Sequence, residues 1–386
     1  MSEDIGVSRR VLVVVGTRPE AIKMAPVVDA LRGHSPHVET RVALTGQHTH
    51  LVDQVLEAFA LEPDYDLGIM KPGQTLYDVL QGALQGLREV VQGFKPDALL
   101  VQGDTATVFT GALVGFFERV KVGHVEAGLR THDKWAPFPE EIFRRLTDVV
   151  SDYYFAPTQY AKQALLAEGV PAEQVHVTGN TVVDALLSVA DPGRPVENAV
   201  LRAVIEGERR LVLLTAHRRE SFGAPIREVF AAVRELADEF DDVEIVYPVH
   251  PNPNVLAPAK ELLADHDRIH LIDPVGYLDL VAALAAADLV LTDSGGIQEE
   301  APTFGVPVLV LREVTERPEG IEAGVAELVG TDRGLILERA RAALARSAGD
   351  SSPANPYGDG LAGARIADIV VADLLGRPRA MKDWRA

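Results

Sequence analysis

Leu289-Val290-Leu291 runs through Thr292 into Asp293-Ser294-Gly295-Gly296-Ile297-Gln298-Glu299-Glu300, and this junction reads as a buried strand, a tight turn and the start of a helix. Ser294 and the two glycines let the backbone approach a ligand closely, and the helix is expected from Ile297 onward. The first amides of a helix have no internal partner, and its aligned peptide dipoles place roughly half a positive charge there, so a diphosphate fits. Glu299 and Glu300 then fall in the first turn, where acids are favoured, and Glu300 is placed to accept hydrogen bonds from ribose hydroxyls. The same letters also spell an ordinary strand-to-helix turn with an Asp/Ser cap, so the rest of the chain has to decide.

The alternation extends outward on both sides. Leu211 to Leu214, Glu244 to Tyr247, Ile269 to Ile272 and Val308 to Leu311 read as strands around the junction. An earlier series comprises Arg10 to Val15, Val38 to Leu44, Ala98 to Val101, Val120 to Val125 and Val175 to Val177, separated by segments long enough for helices. Such a series makes a mostly parallel sheet covered on both faces. Asp191-Pro192-Gly193-Arg194-Pro195 is the linker between the two series, and the stretch from Ser351 to Gly360 is a second break. The helical segment Leu361 to Leu375 is expected to cross back onto the first domain. The fold class is therefore α/β, with two doubly wound domains: residues 1–184 joined by a returning segment 363–386, and residues 185–362.

Composition agrees with two cores, because 386 residues exceed what one usually fills. The apolar stretch Leu280 to Ala287 is far shorter than the ~18 residues of a membrane span. Met1-Ser2-Glu3-Asp4 is acidic and lacks the basic start of a signal peptide, so a cytoplasmic location is expected. The chain contains no cysteine, which removes thiolate nucleophiles, disulfides and Cys-based metal sites and leaves carboxylates, histidine, lysine and arginine for chemistry. A formal charge of -20 argues against a nucleic-acid partner but allows a small anion held by a local cationic cluster.

Such a cluster is available at the strand ends. Gly16-Thr17-Arg18-Pro19-Glu20-Ala21-Ile22-Lys23 follows the first strand, and Arg18 and Lys23 can face one anion at the carboxyl edge of the sheet. Later strand ends in that series bring acids: Asp104 after Gln102-Gly103, Glu126 in Gly123-His124-Val125-Glu126-Ala127-Gly128, and Glu140 after Pro137-Phe138-Pro139. Taken singly each can be structural, and two have a specific alternative: an N-cap for Asp104 and an ion pair of Glu140 with Arg144 one turn on. Three acids at one edge opposite two cations are harder to attribute to capping. In the second series His217-Arg218-Arg219 ends a strand, and Arg317 in Thr315-Glu316-Arg317-Pro318-Glu319 adds a further cation.

With these residues assembled, the chain resembles the non-hydrolysing UDP-N-acetylglucosamine 2-epimerases from about Val11 to the final helix. The motifs that carry the resemblance are Gly16 to Pro26, Gly123 to Thr131, His217 to Glu220, Asp293 to Pro302 and Thr315 to Glu319. It implies a glycosyltransferase-B-like fold, two Rossmann-like domains facing across a cleft, usually as a homodimer acting on a UDP-sugar. No nicotinamide, other cofactor or obligatory metal is implied. The family's chemistry is anti elimination of UDP to a 2-acetamidoglucal, then readdition after C2 is reprotonated from the other face. By resemblance Asp104, Glu126 and Glu140 are the acid/base candidates, joined in the catalytic set by His217. His217, Arg218 and the Ser294-Gly295-Gly296 turn would hold the diphosphate; Arg18, Lys23, Arg144 and Arg317 would complete the charged cleft; Glu300 would bind ribose. Where some members contact uracil with Gln, this chain has Val275.

A second departure concerns regulation. Many bacterial members bind a second UDP-N-acetylglucosamine at a site built from a Gln-His-x-Gln stretch, an Arg and a His. This chain keeps Gln47, His48 and His250, but has His50 and Gly73 at the second Gln and the Arg positions, which implies a vestigial allosteric site. Other readings of the same motifs are a hydrolysing epimerase that releases N-acetylmannosamine and UDP, a glycosyltransferase, and a catalytically silent nucleotide-sugar sensor.

Overall fold

The computed structural model describes residues 8–46, 50–71, 73–345 and 353–385, with the side chains of 50–53 set aside. Contacts divide the chain into two compact units, one running to Ala185 and resuming over Tyr357–Ala386, the other spanning Leu186–Pro356.

The first unit is built on a seven-stranded sheet in the order β3-β2-β1-β4-β5-β6-β7. Its strands are β1 Arg9–Val15, β2 Val38–Leu44, β3 Tyr65–Asp66, β4 Ala98–Gln102, β5 Lys121–Val125, β6 Tyr153–Ala156 and β7 Val175–Val177. Every pairing is parallel. Parallel strands are covered by helices on both faces, so a central strand reads as an unbroken branched run; Val11 to Val15 are all fully buried. Helix Ala362–Leu374 packs against helix Arg18–Arg32 so closely that a Cβ on Gly363 would lie 2.7 Å from the Pro26 carbonyl oxygen. Beyond that helix, the Trp384 amide donates to the Val177 carbonyl at 2.8 Å and so ties the chain end to the sheet edge.

The second unit has a six-stranded sheet in the order β10-β9-β8-β11-β12-β13. These strands are β8 Arg210–Thr215, β9 Val243–Pro248, β10 Ile269–Ile272, β11 Ala287–Thr292, β12 Val308–Val310 and β13 Ala326–Leu328, again all parallel. Phe230 and Tyr247 fill its core with rings 5.7 Å apart.

Both sheets reverse their strand order once, between β1 and β4 in the first unit and between β8 and β11 in the second. A crevice opens outside the carboxyl ends of strands at such a point, because successive helices leave to opposite faces. The turns at these two points are Gly16 to Arg18 with Gly103 to Thr105, and Ala216 to Arg218 with Asp293 to Gly296. No helix among the described residues is long and apolar enough to cross a membrane.

Candidate active site

In the first unit Asp104 lies in the turn after β4. It is not the helix cap. Thr105 takes that role for helix Ala106–Phe117, accepting from the Val108 amide, and the Asp104 carboxylate instead receives Arg144 at 2.5 Å. Arg144 also reaches Glu141 at 3.4 Å, and among the described residues it makes no ion pair with Glu140, the ordinary alternative for that acid. The two adjacent glutamates at the start of helix Glu140–Val149 have different surroundings. Glu141 is fully buried and accepts from the amides of Thr131 and His132 at 3.1 and 3.2 Å. The Glu140 atom Oε2 is buried and has no hydrogen-bond partner among the described residues.

Glu126, after β5, adopts a left-handed backbone with φ 69°, which costs a non-glycine residue of order 1 kcal/mol or more. The conformation turns its carboxylate onto the Lys23 ammonium at 2.5 Å and onto the Gln102 amide, a partner on β4. Lys23 therefore engages a candidate acid, where the sequence suggested that it shares an anion with Arg18. Arg18 is the first residue of its helix and half-buried.

Beneath these turns, His124 Nε2 donates to the Gly103 carbonyl at 2.8 Å while Nδ1 meets Asp148 at 2.6 Å, and Arg130 grips the other Asp148 oxygen at 2.6 Å. Burial alone would raise the Asp148 carboxyl, but His124 and Arg130 outweigh it and hold it below the ordinary range. The network fixes Gly103 from below, one residue before Asp104, and anchors β5 two residues before Glu126. Glu20, only 2% exposed, accepts from the Gly16 amide at 2.7 Å and from the hydroxyls of Thr17 and Thr105 at 2.8 Å each. Its burial outweighs those bonds and pushes the carboxyl up to about 7.

In the second unit the helix after β11 begins at Gly295, two residues earlier than expected, with Ser294 as an extended cap residue whose side chain makes no capping bond. Both glycines are helical, so Glu299 and Glu300 end this short helix and do not lie in its first turn. Glu299 is buried and pairs with Arg317 Nε at 2.9 Å. That pairing lays the Arg317 guanidinium over the turn, since a Cβ on Gly295 would sit 3.4 Å from Cζ. The Glu300 carboxylate curls back to within 3.4 Å of the same position on Gly296.

Asp293, fully buried, organises the neighbouring turn: one oxygen accepts from the amides of His217 and Arg218 at 2.6 and 2.7 Å, and the other lies 3.3 Å from His217 Nδ1. The Tyr247 hydroxyl donates to the Ala216 carbonyl at 2.5 Å. Burial lowers the His217 imidazole below its usual value, against the opposing pull of Asp293. The His217 ring stacks on His250 at 5.7 Å, and both line a groove of about 430 Å³ with Arg218, Arg219 and Asn252. Val275 is half-buried in the loop before helix Tyr277–Ala286. Among the described residues no three His, Asp or Glu side chains gather where a metal ion could be held.

Of the regulatory positions, Gln47 and His48 lie outside the described residues, and His50 opens helix His50–Ala58. Gly73 has a left-handed φ of 73° just before helix Leu76–Phe94, a conformation that an arginine would adopt only with strain.

Sequence reasoning passed over Glu20, Gln102, His124, Asp148 and Asp293 as site residues. Only Asp293, at a strand end directly before the Ser-Gly-Gly turn, carried a local signal. The others act through pairings with residues 18 to 85 positions away, as with Arg130 and Asp148, 18 apart, Gln102 and Glu126, 24 apart, or Glu20 and Thr105, 85 apart.

A family model described as UDP-N-acetylglucosamine 2-epimerase matches residues 29–371. The UDP-N-acetylglucosamine 2-epimerase of Bacillus subtilis is 48% identical over 362 residues, covering 93% of this chain and 94% of the relative. Among solved structures, a putative UDP-N-acetylglucosamine 2-epimerase from Listeria monocytogenes superposes with a TM-score of 0.92 at 45% identity, covering 98% of this chain and 100% of that one. The Neisseria meningitidis UDP-GlcNAc 2-epimerase, solved bound to UDP-GlcNAc, gives 0.81 at 42% identity, covering 95% and 100%. A glycosyltransferase from Rickettsia africae, 12% identical, gives 0.57 over 96% of this chain and 94% of its own, a likeness of fold alone that makes the architecture glycosyltransferase-B-like. With nearly half its residues shared across almost its whole length, the chain belongs to the UDP-N-acetylglucosamine 2-epimerase family, a family of isomerases.

Proposed function

We propose that the chain interconverts UDP-N-acetylglucosamine and UDP-N-acetylmannosamine without hydrolysis, by anti elimination of UDP and its readdition. In the forward direction a carboxylate removes the C2 proton while the C1–oxygen bond breaks, leaving 2-acetamidoglucal and UDP. A proton then returns to C2 from the other face and the diphosphate oxygen re-forms the C1 bond. C2–H is weakly acidic, so elimination needs a general base together with stabilisation of the departing diphosphate.

The observation that carries this reading is the set of three carboxylates in the first unit with distinct environments. Glu140 has an unpartnered buried oxygen, Asp104 is held by a guanidinium, and Glu126 is held by an ammonium and an amide. Such differences suit groups that must give and take a proton in turn. In the second unit Arg218, Arg317 and the amides of Gly295 and Gly296 supply the positive side of a diphosphate site and His217 a ring N–H, with Asp293 fixing the His217–Arg218 backbone and Glu299 holding the Arg317 guanidinium. Glu300 is assigned to the ribose hydroxyls, and uracil, facing Val275, is read by backbone atoms. Arg18 and Arg144 neutralise charge beside the acids.

We also infer that the chain pairs with a second copy through the first unit. Phe116, Phe117 and Val149 stand 56%, 62% and 78% exposed at the ends of neighbouring helices, apolar side chains that suit a protein–protein contact.

Incubating the protein with UDP-N-acetylglucosamine alone tests the reaction. UDP-N-acetylmannosamine is expected, with UDP still attached. Free N-acetylmannosamine with UDP as the main product would favour hydrolysis, and turnover only with a sugar acceptor would favour transfer.

A further inference from the structure

We propose that Glu20 is a positioning residue for the epimerisation: its carboxylate ties the Thr17–Arg18 turn to the Asp104–Thr105 turn and thereby sets the aim of Arg18 and Asp104. The inference rests on the proposed reaction, with Asp104 among its acid/base groups.

Glu20 is the third residue of helix Arg18–Arg32, the position from which a glutamate ordinarily returns to the amide of the cap residue. Here it does something else. Oε2 accepts from the amide of Gly16, one residue further back, and Oε1 accepts from the hydroxyls of both Thr17 and Thr105. The Thr17 hydroxyl correspondingly makes no capping bond to its own helix. Local helix stabilisation has been exchanged for a bond to a turn on another strand. Thr105 is in turn the cap of helix Ala106–Phe117, so one carboxylate orients the N-termini of two helices that flank the reversal of the sheet.

The surroundings leave this tie little freedom. A Cβ on Gly16 would lie 2.7 Å from the Thr107 Cβ, so the first turn is pressed directly against the second helix. The Thr107 hydroxyl is held by Thr45 at 2.9 Å. The charged neighbour acting on Glu20 is Asp104 itself, which opposes ionisation, and the remaining facing groups are hydroxyls and an amide. Burying a carboxylate among neutral donors beside another carboxylate is costly, and glutamine would fill the space and keep the same partners without that cost. A group retained at such a position is explained by what it aims.

The test is a double-mutant cycle. Glu20→Ala is expected to lower kcat by about 10²-fold, the effect of a displaced reacting group, with KM changed less than about 3-fold. Glu20→Gln, which keeps the bond from Gly16 and can donate to both hydroxyls, should lower it less. In an Asp104→Asn background the further loss from either substitution should shrink to within about 3-fold, because a residue acting through Asp104 has nothing left to aim. Wild-type tryptophan emission, which comes from Trp135 and Trp384 in the same unit as Glu20, shows that each variant is folded, and if the alanine variant fails this check the glutamine cycle decides alone. Wild-type kcat in Glu20→Ala, or an undiminished loss in the Asp104→Asn background, overturns the inference. Wild-type turnover in Asp104→Asn alone would instead remove Asp104 from the reaction and this inference with it, a separate and recognisable result.

Discussion

Glu20→Gln should make the folded chain more stable, by an amount that grows with pH. Burial raises this carboxyl from 4.5 to about 7. Between those values the folded state keeps a proton that the unfolded state has released, so stability falls as pH rises through the interval, by about 1.4 kcal/mol per pH unit. Above pH 7 the accumulated cost approaches about 3 kcal/mol. Glutamine cannot ionise and matches the protonated acid in shape, accepting from the Gly16 amide and donating to the two threonine hydroxyls. The variant and the wild type should therefore have similar stability near pH 5 and diverge up to pH 8. The chain's two tryptophans, Trp135 and Trp384, both lie in the unit that contains Glu20, so urea unfolding followed by tryptophan fluorescence reports the relevant transition. A Glu20→Gln variant that is less stable than wild type at pH 8, or whose difference does not change with pH, would refute the reasoning. Greater stability together with slower turnover is the pattern of a residue kept for function at the expense of the fold.

Asp104→Asn, Glu126→Gln and Glu140→Gln should each lower turnover by about 10²-fold or more with UDP affinity retained, whereas His217→Ala and Arg317→Ala should weaken UDP binding measured by calorimetry. Gly128→Ala should destabilise the fold by about 2 kcal/mol or more, read from the urea midpoint, because Gly128 has φ 90° and its added Cβ would fall 2.9 Å from the Ala161 carbonyl carbon. Glycine at position 73 removes a diphosphate-pairing arginine typically worth about 1.5 to 3 kcal/mol, so forward kinetics should be near-hyperbolic. The reverse reaction should start from pure UDP-N-acetylmannosamine without a lag; a lag abolished by a trace of UDP-N-acetylglucosamine would show a working activator site.

The strands that could be read from sequence are those that contain Val or Ile, whether central or at a sheet edge. Val38–Leu44, Val175–Val177 and Ile269–Ile272 have the expected bounds, and the central strands differ by a residue or so. Tyr65–Asp66, Tyr153–Ala156 and Ala326–Leu328 went unread because these short strands contain no Val or Ile, the residues that marked equally short strands such as Val175–Val177 and Ile269–Ile272. The site divided in the same way. Motifs at strand ends stood out because a parallel sheet brings those ends to one edge. Their partners did not, because Lys23 and Glu126 are 103 positions apart and Asp104 and Arg144 are 40 apart. The early start of the helix at Gly295 has a local cause: glycine carries little helix signal in sequence, yet nothing prevents it from entering the first turn once Ser294 is extended.

The central claim is that C2 exchanges its proton with solvent while UDP leaves and returns. Running the reaction on UDP-N-acetylglucosamine in D2O and examining the sugar by NMR tests it directly. The account predicts UDP-N-acetylmannosamine carrying deuterium at C2. Unlabelled epimer, or epimer formed only when NAD is added, would contradict it.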